Sequence, residues 1–196
     1  MPGGYVNITD NADPMDIMVY RTAPHPSKIV RRGRHHRRHR VRLPRQVCRV
    51  PVFARGTGAD ENSIISAGDT MIAEDNYGYM DPTSIQGQTT SPGFVRVDLN
   101  PGGRGCHVVW TNSTESAPTV VSKVALATGL VYTYTLDDSS GDWYWTALDF
   151  RTGKTVYRAY AGTGLGWNNN YAGISISPRG VEYLGALGGL MSLRDG

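Results

Sequence analysis

The feature that most restricts what this chain can fold into is a repeat of about fifty residues. Its clearest copy, residues 116–158, reads "SAPTVVSKVALATGLVYTYTLDDSSGDWYWTALDFRTGKTVYR". It divides into a short β run after Pro118, a turn at Gly129, the alternating "LVYTYTL", a polar turn, "WYWTALD", the turn "FRTGK" and "TVYR". Period-two alternation broken by Gly- and Asp-rich turns predicts four antiparallel strands joined by hairpins.

A preceding unit keeps the same order: "SIISAGDTMIAEDNYGY", a loop through Pro92, "GFVRVDL", the turn "NPGGRG" and "CHVVW". Its Val97-Asp98-Leu99 answers to Ala147-Leu148-Asp149, and its Trp110 to Tyr157. A following unit places Gly180 and Tyr183 each 51 residues after Gly129 and Tyr132, sets Asp195 46 residues after Asp149, and stops after its third strand. The amino-terminal segment fits as a unit without its first strand: "GYVNIT", "DIMVY", "VCRVPVF". The chain thus counts three, four, four and three strands, in units 1–53, 61–110, 114–158 and 167–196.

Four-stranded units of this length cannot bury their own faces and must pack on their neighbours, which predicts an all-β fold, a β-propeller of about four antiparallel blades with the first and last incomplete. A sandwich matches the strand count but does not repeat its turn chemistry. Beginning and ending inside a blade, the chain is expected to be a piece of a larger propeller or a truncated product. Closure as four blades would leave two unpaired edges.

At residues 147–158, "ALDFRTGKTVYR", the sequence resembles the repeat of pyrroloquinoline-quinone-type (quinoprotein-like) propellers, whose units close with a pattern like Ala-x-Asp-x-x-Thr-Gly-x-x-x-Trp. In that pattern Asp149 and Thr152 tie the turn through side-chain hydrogen bonds, Gly153 takes the left-handed position, and an aromatic ring packs between blades. Tyr157 stands where the pattern has Trp; Trp110 keeps it one unit earlier. The superfamily includes dehydrogenases, outer-membrane assembly scaffolds and sensors, so the resemblance implies fold more than function. It implies an extracytoplasmic parent protein, and Ca²⁺ or the quinone PQQ as the cofactors to consider. The quinone enzymes need a Trp floor, adjacent cysteines, a calcium site and an Asp base. This chain has no adjacent cysteines and no motif that assigns Trp110, Trp143, Trp145 or Trp167 to a floor. A non-catalytic ligand-binding or scaffold propeller is therefore the leading expectation, with a quinoprotein oxidoreductase whose cofactor residues lie mostly elsewhere as the alternative. No catalytic residues are assigned.

In a propeller, the second-to-third-strand loops and the blade-to-blade loops share the face at the channel mouth, where function gathers. Three units begin the former loop with acids or amides: Asp10-Asn11, Asp75-Asn76 and Asp137-Asp138. Such groups suit Ca²⁺ or a sugar; equally, Asp and Asn start turns by binding their own backbone. The blade-to-blade loop "GTGLGWNNNYAG" offers Trp167, Asn168, Asn169, Asn170 and Tyr171 as an aromatic and amide surface for a small polar or carbohydrate ligand. The alternative is that these amides cap turns while Trp167 packs between blades. Cys48 and Cys106 lack the spacing of a zinc site or redox dithiol and read as small strand residues. Adjacent Cys106 and His107 point to opposite faces of a strand and make no nucleophile–base pair.

One segment departs from the repeat. Residues 28–49 carry ten bases, three histidines and no acid, while the rest of the chain, with ten bases against seventeen acids, carries −7. Residues 27–46 fall in a third-to-fourth-strand connection that is only a short turn in other units, opposite the mouth. Arg31, Arg32, Arg34, Arg37, Arg38 and Arg40 form its anion-binding candidate. No aromatic interrupts them to stack on bases, so nucleic acid is not the expected partner. A neutral insertion, or a reading error in an Arg-rich translation, stands beside the anionic-polymer reading. No stretch has the length and apolarity of a membrane-spanning helix.

Overall fold

A computed structural model describes residues 4–9, 16–21, 45–51, 61–76 and 93–194. They form antiparallel sheets, each laid down in chain order. The first is β1 (Tyr5–Thr9), β2 (Asp16–Arg21) and β3 (Arg45–Pro51); the second is β4 (Glu61–Ala67), β5 (Thr70–Asn76), β6 (Phe94–Leu99) and β7 (Cys106–Asn112). The third is β8 (Lys123–Ala125), β9 (Leu130–Asp137), β10 (Asp142–Asp149) and β11 (Thr155–Thr163); the fourth is β12 (Ser175–Ile176), β13 (Glu182–Ala186) and β14 (Gly189–Leu193). Three, four, four and three strands is the count expected from the repeat.

The sheets stack face to face because successive side chains of a strand leave opposite faces. In β5, Met71 and Ala73 join a buried cluster with Ile17, Val19 and Val50 of the first sheet, while Ile72 joins another with Val131, Tyr134 and Trp145 of the third. In β6, Val95 and Val97 face the first sheet and Phe94 the third. The second cluster continues into the fourth sheet through Ile174 and Leu184. Tyr134 fills the middle of that layer, its ring stacked 5.2 Å from Trp143 and edge-on 5.6 Å from Trp145. A sheet apolar on both faces needs a neighbour on each side, the condition that generates a propeller.

The repeat turn does what its sequence predicts. Asp149 Oδ1 accepts from the Arg151 backbone N–H at 3.0 Å, the Thr152 N–H at 2.8 Å and the Thr152 hydroxyl at 2.9 Å. Gly153 sits at φ +70°, and a Cβ there would stand 2.4 Å from the Trp110 ring. Trp110 thus packs across the boundary between sheets, donating from Nε1 to the Phe150 carbonyl at 2.9 Å. Arg96 reinforces the contact, lying 4.1 Å over the Phe150 ring and donating to its carbonyl at 3.0 Å.

Two readings of the sequence are corrected. Trp110 pairs with Arg96 and Tyr157 with Ala147, so Arg96, not Val97, answers to Ala147 and Asp98 answers to Asp149. The Leu99 N–H bonds back to Asp69 as the Phe150 N–H bonds back to Gly129, which fixes the one-residue shift. Cys48 and Cys106 are not unrelated strand residues: they form a disulfide, Cα–Cα 5.8 Å, between β3 and β7, the last strands of the first two sheets. A separation of 58 positions concealed the pair; only the stacking of the sheets brings it together. The basic candidates Arg31, Arg32, Arg34, Arg37, Arg38 and Arg40 lie outside the described residues, between the paired strands β2 and β3. Among the described residues, no helix is long and apolar enough to cross a membrane.

Candidate functional site

Antiparallel order puts the β9–β10 turn at the same end of the molecule as the segment that leads from β7 into β8. The Leu136 N–H donates to the Ser116 carbonyl at 3.0 Å, locking turn and lead-in segment together. The next sheet repeats the device: Leu187 N–H to Asn168 O at 2.9 Å and Gly188 N–H to Gly166 O at 2.8 Å. Each junction frames a groove.

The groove on the third sheet encloses about 390 Å³ between Thr114–Glu115–Ser116 on one side and Asp137–Asp138–Ser139 on the other, with Arg158 of β11 along its wall. Its shape begins with Asn112, buried at the end of β7. The Asn112 amide donates to the Gly153 carbonyl at 2.8 Å, while its Oδ1 accepts from the Thr114 and Glu115 backbone N–H groups at 2.9 and 3.1 Å, curling the chain inward. Glu115 is thereby buried, accepting from the Thr155 hydroxyl at 2.7 Å and pairing with Arg158 at 3.7 Å. Arg158 lies 4.1 Å over the Tyr144 ring. A guanidinium stacked on an aromatic face and paired to a carboxylate is held in orientation while some donors remain available.

Opposite it, Asp137 accepts from the Ser139 hydroxyl at 2.6 Å and the Ser139 N–H at 3.0 Å. These bonds, the hydroxyl first, hold its carboxyl below the ordinary value of 3.8. Asp138 is exposed. The groove therefore presents oriented donors on one wall and ionised acceptors on the other.

The remaining candidates divide. Asp75 and Asn76 are buried, the Asn76 amide donating to the Val120 carbonyl at 3.3 Å. Asn168 and Asn169 are buried too: both side-chain oxygens accept from the Thr119 hydroxyl, at 3.1 and 2.6 Å, and Asn169 donates to the Thr119 and Ala172 carbonyls. Their amides build the segment that leads into the fourth sheet. Asn170 and Tyr171 follow at φ 42° and 70° and are half-buried. Trp167 is 37 % exposed, its ring lying on Gly162 where a Cβ would clash at 2.1 Å. Asp10 and Asn11 lie outside the described residues. The structure gathers Asp137 and Asp138 with Glu115 and Arg158, which no sequence signal linked, since the last two meet only through stacking of β11 on the β7–β8 segment. As for Ca²⁺, the described residues assemble no group of three or more His, Cys, Asp or Glu able to hold a metal.

Sheets of three and four antiparallel strands, stacked face to face with their junction loops at one end, define an all-β protein of the β-propeller type. Among solved structures, the chain is similar to BamB from Moraxella catarrhalis, with 14% identity and a TM-score of 0.54 over 97% of this chain and 46% of that one. It therefore spans about half the length of that chain. No family model and no curated protein matches the sequence.

Proposed function

We propose that this chain is a non-catalytic propeller scaffold of quinoprotein-like repeats that binds a small, hydroxyl-rich ligand, a carbohydrate above all, in the groove of the third sheet. The observation that carries this is Arg158, stacked on Tyr144 and paired with buried Glu115, facing Asp137 and Asp138 across the groove. Hydroxyl groups both donate and accept, so a ligand bearing several can satisfy the guanidinium and the carboxylates at once, without the charge that a simple anion or cation would bring to only one wall. The stacked geometry supports oriented binding, because less side-chain freedom is lost when the ligand arrives.

Calorimetry of the full chain against neutral and acidic oligosaccharides tests this. A binder should emerge whose affinity falls about tenfold or more in Arg158→Lys, which keeps the charge and loses the planar fork. Asp138→Asn, an exposed change, should weaken it less. If no oligosaccharide binds, or if Arg158→Lys binds any of them as well as the parent chain does, the groove is not the site.

A further inference from the structure

The polar groove of the third sheet adjoins an aromatic surface further along β11. Tyr160 follows Arg158 by two residues, and the pairings of Arg158 with Thr146 and of Tyr160 with Tyr144 put both side chains on one face of the sheet. Asp137 and Asp142, paired across the β9–β10 hairpin, share that face. It is the face turned toward the second sheet: Thr133, opposite Thr146, accepts from the Ser122 hydroxyl, and the Ser122 N–H donates to Glu74 of β5.

Tyr160 is 61% exposed, more than any other tyrosine or tryptophan among the described residues. Exposure alone says little, but this ring is also held in place. Its hydroxyl lies 2.8 Å from the Thr163 hydroxyl, and Thr163 gives its own proton to the Asp142 carboxylate, so Tyr160 donates within the pair. The Tyr160 and Tyr144 rings meet edge to face at 5.9 Å, and Arg158 lies 4.1 Å over the Tyr144 ring. That contact uses at most one face of the Tyr160 ring. A fixed aromatic surface beside oriented polar groups suits one chemistry in particular. A sugar ring carries hydroxyls around its rim and C–H groups on its faces. The rim finds donors and acceptors in Arg158, Asp137 and Asp138, and the C–H face leaves water most favourably against an aromatic ring. Two residues along a strand is about 7 Å, room for a second sugar ring beside one seated in the groove.

We propose that Tyr160 is the platform of a second subsite, stacking on the C–H face of a sugar ring next to the one held in the groove, so that the ligand is a linear oligosaccharide running along β11. This inference rests on the reading of the groove as a carbohydrate site and adds the length of ligand that the site selects.

The probes are cello-oligosaccharides and oligogalacturonides of one to four rings, titrated into the full chain and followed by NMR, which reads weak single-sugar binding as well as tight. In the series that binds, affinity should rise about tenfold between the single sugar and the longer members. Tyr160→Ala should abolish that rise while leaving the single sugar's affinity and the unfolding midpoint unchanged. Tyr160→Phe, which keeps the ring and loses only its tether to Thr163, should retain most of it. If Tyr160 only braces Tyr144 beneath Arg158, Tyr160→Ala weakens one ring and four rings alike; that result overturns the subsite and leaves the groove standing. Affinity independent of length in the parent chain overturns it as well. If no member of either series binds, or if Arg158→Lys leaves the binding of all of them unweakened, the groove itself is not the site and the subsite falls with it.

Discussion

Gly153 and Trp110 form the smallest unit that holds two sheets together. A side chain at position 153 meets both a left-handed backbone, φ +70°, and an indole 2.4 Å from its Cβ. Gly153→Ala should therefore destabilise the fold by about 2–4 kcal/mol, read as a shift in the urea midpoint; a change under half a kcal/mol would remove this contact from the account. The turn beside it carries a pH signature. The Thr152 hydroxyl, then the Thr152 and Arg151 backbone N–H groups, hold the Asp149 carboxyl below its ordinary 3.8. Because the folded value is depressed, the ionised group stabilises the fold above 3.8 and that stabilisation is lost as the pH falls through the folded value. In Thr152→Val, the Asp149 carboxyl should titrate closer to 3.8 by NMR, and acid should cost less stability over that window; an unmoved titration would contradict the assignment. This turn was legible because Asp, Thr and Gly each act on the backbone within four residues. Asn168 and Asn169 were not, since their partner Thr119 lies 49 and 50 residues away. Thr119→Val, which takes the hydroxyl from the buried Asn169 oxygen while Asn168 Oδ1 keeps the Asn170 N–H at 2.8 Å, should cost about 1–2 kcal/mol.

Strands were legible in number and order because each carries its period-two pattern and its turns locally. Register was not: both third-to-fourth-strand pairings carry an irregularity, at Arg96/Val97 and at Ala147/Leu148, which no local pattern announces. The disulfide belongs to the same scale. It ties β3 to β7 across the first two sheets, beside a shared cluster of Ile17, Val19, Met71 and Val97. Reduction should lower stability by about 2–4 kcal/mol, and hydrogen exchange should report it first in β1–β3, the sheet that the bond ties to its neighbour. Two free thiols in the unreduced, folded chain would contradict the pairing. Oxidising surroundings suit such a bond.

Across the molecule, stacking turns local turns into sites. Glu115, Asp137, Asp138 and Arg158 come from separate stretches and meet only because the β7–β8 segment and the β9–β10 turn share one end of the sheets. Of the candidates the sequence placed at that end, Asp137 and Asp138 line the groove while Asn76, Asn168 and Asn169 are buried, since a buried turn amide and a displayed one look alike in sequence. The most direct measurement is a ¹H–¹⁵N NMR titration of the full chain with the oligosaccharide that calorimetry ranks tightest. The account predicts saturable shifts clustered at Thr114–Ser116 and Asp137–Ser139 and lost in Arg158→Lys. Shifts centred elsewhere, or undiminished in that variant, would contradict it.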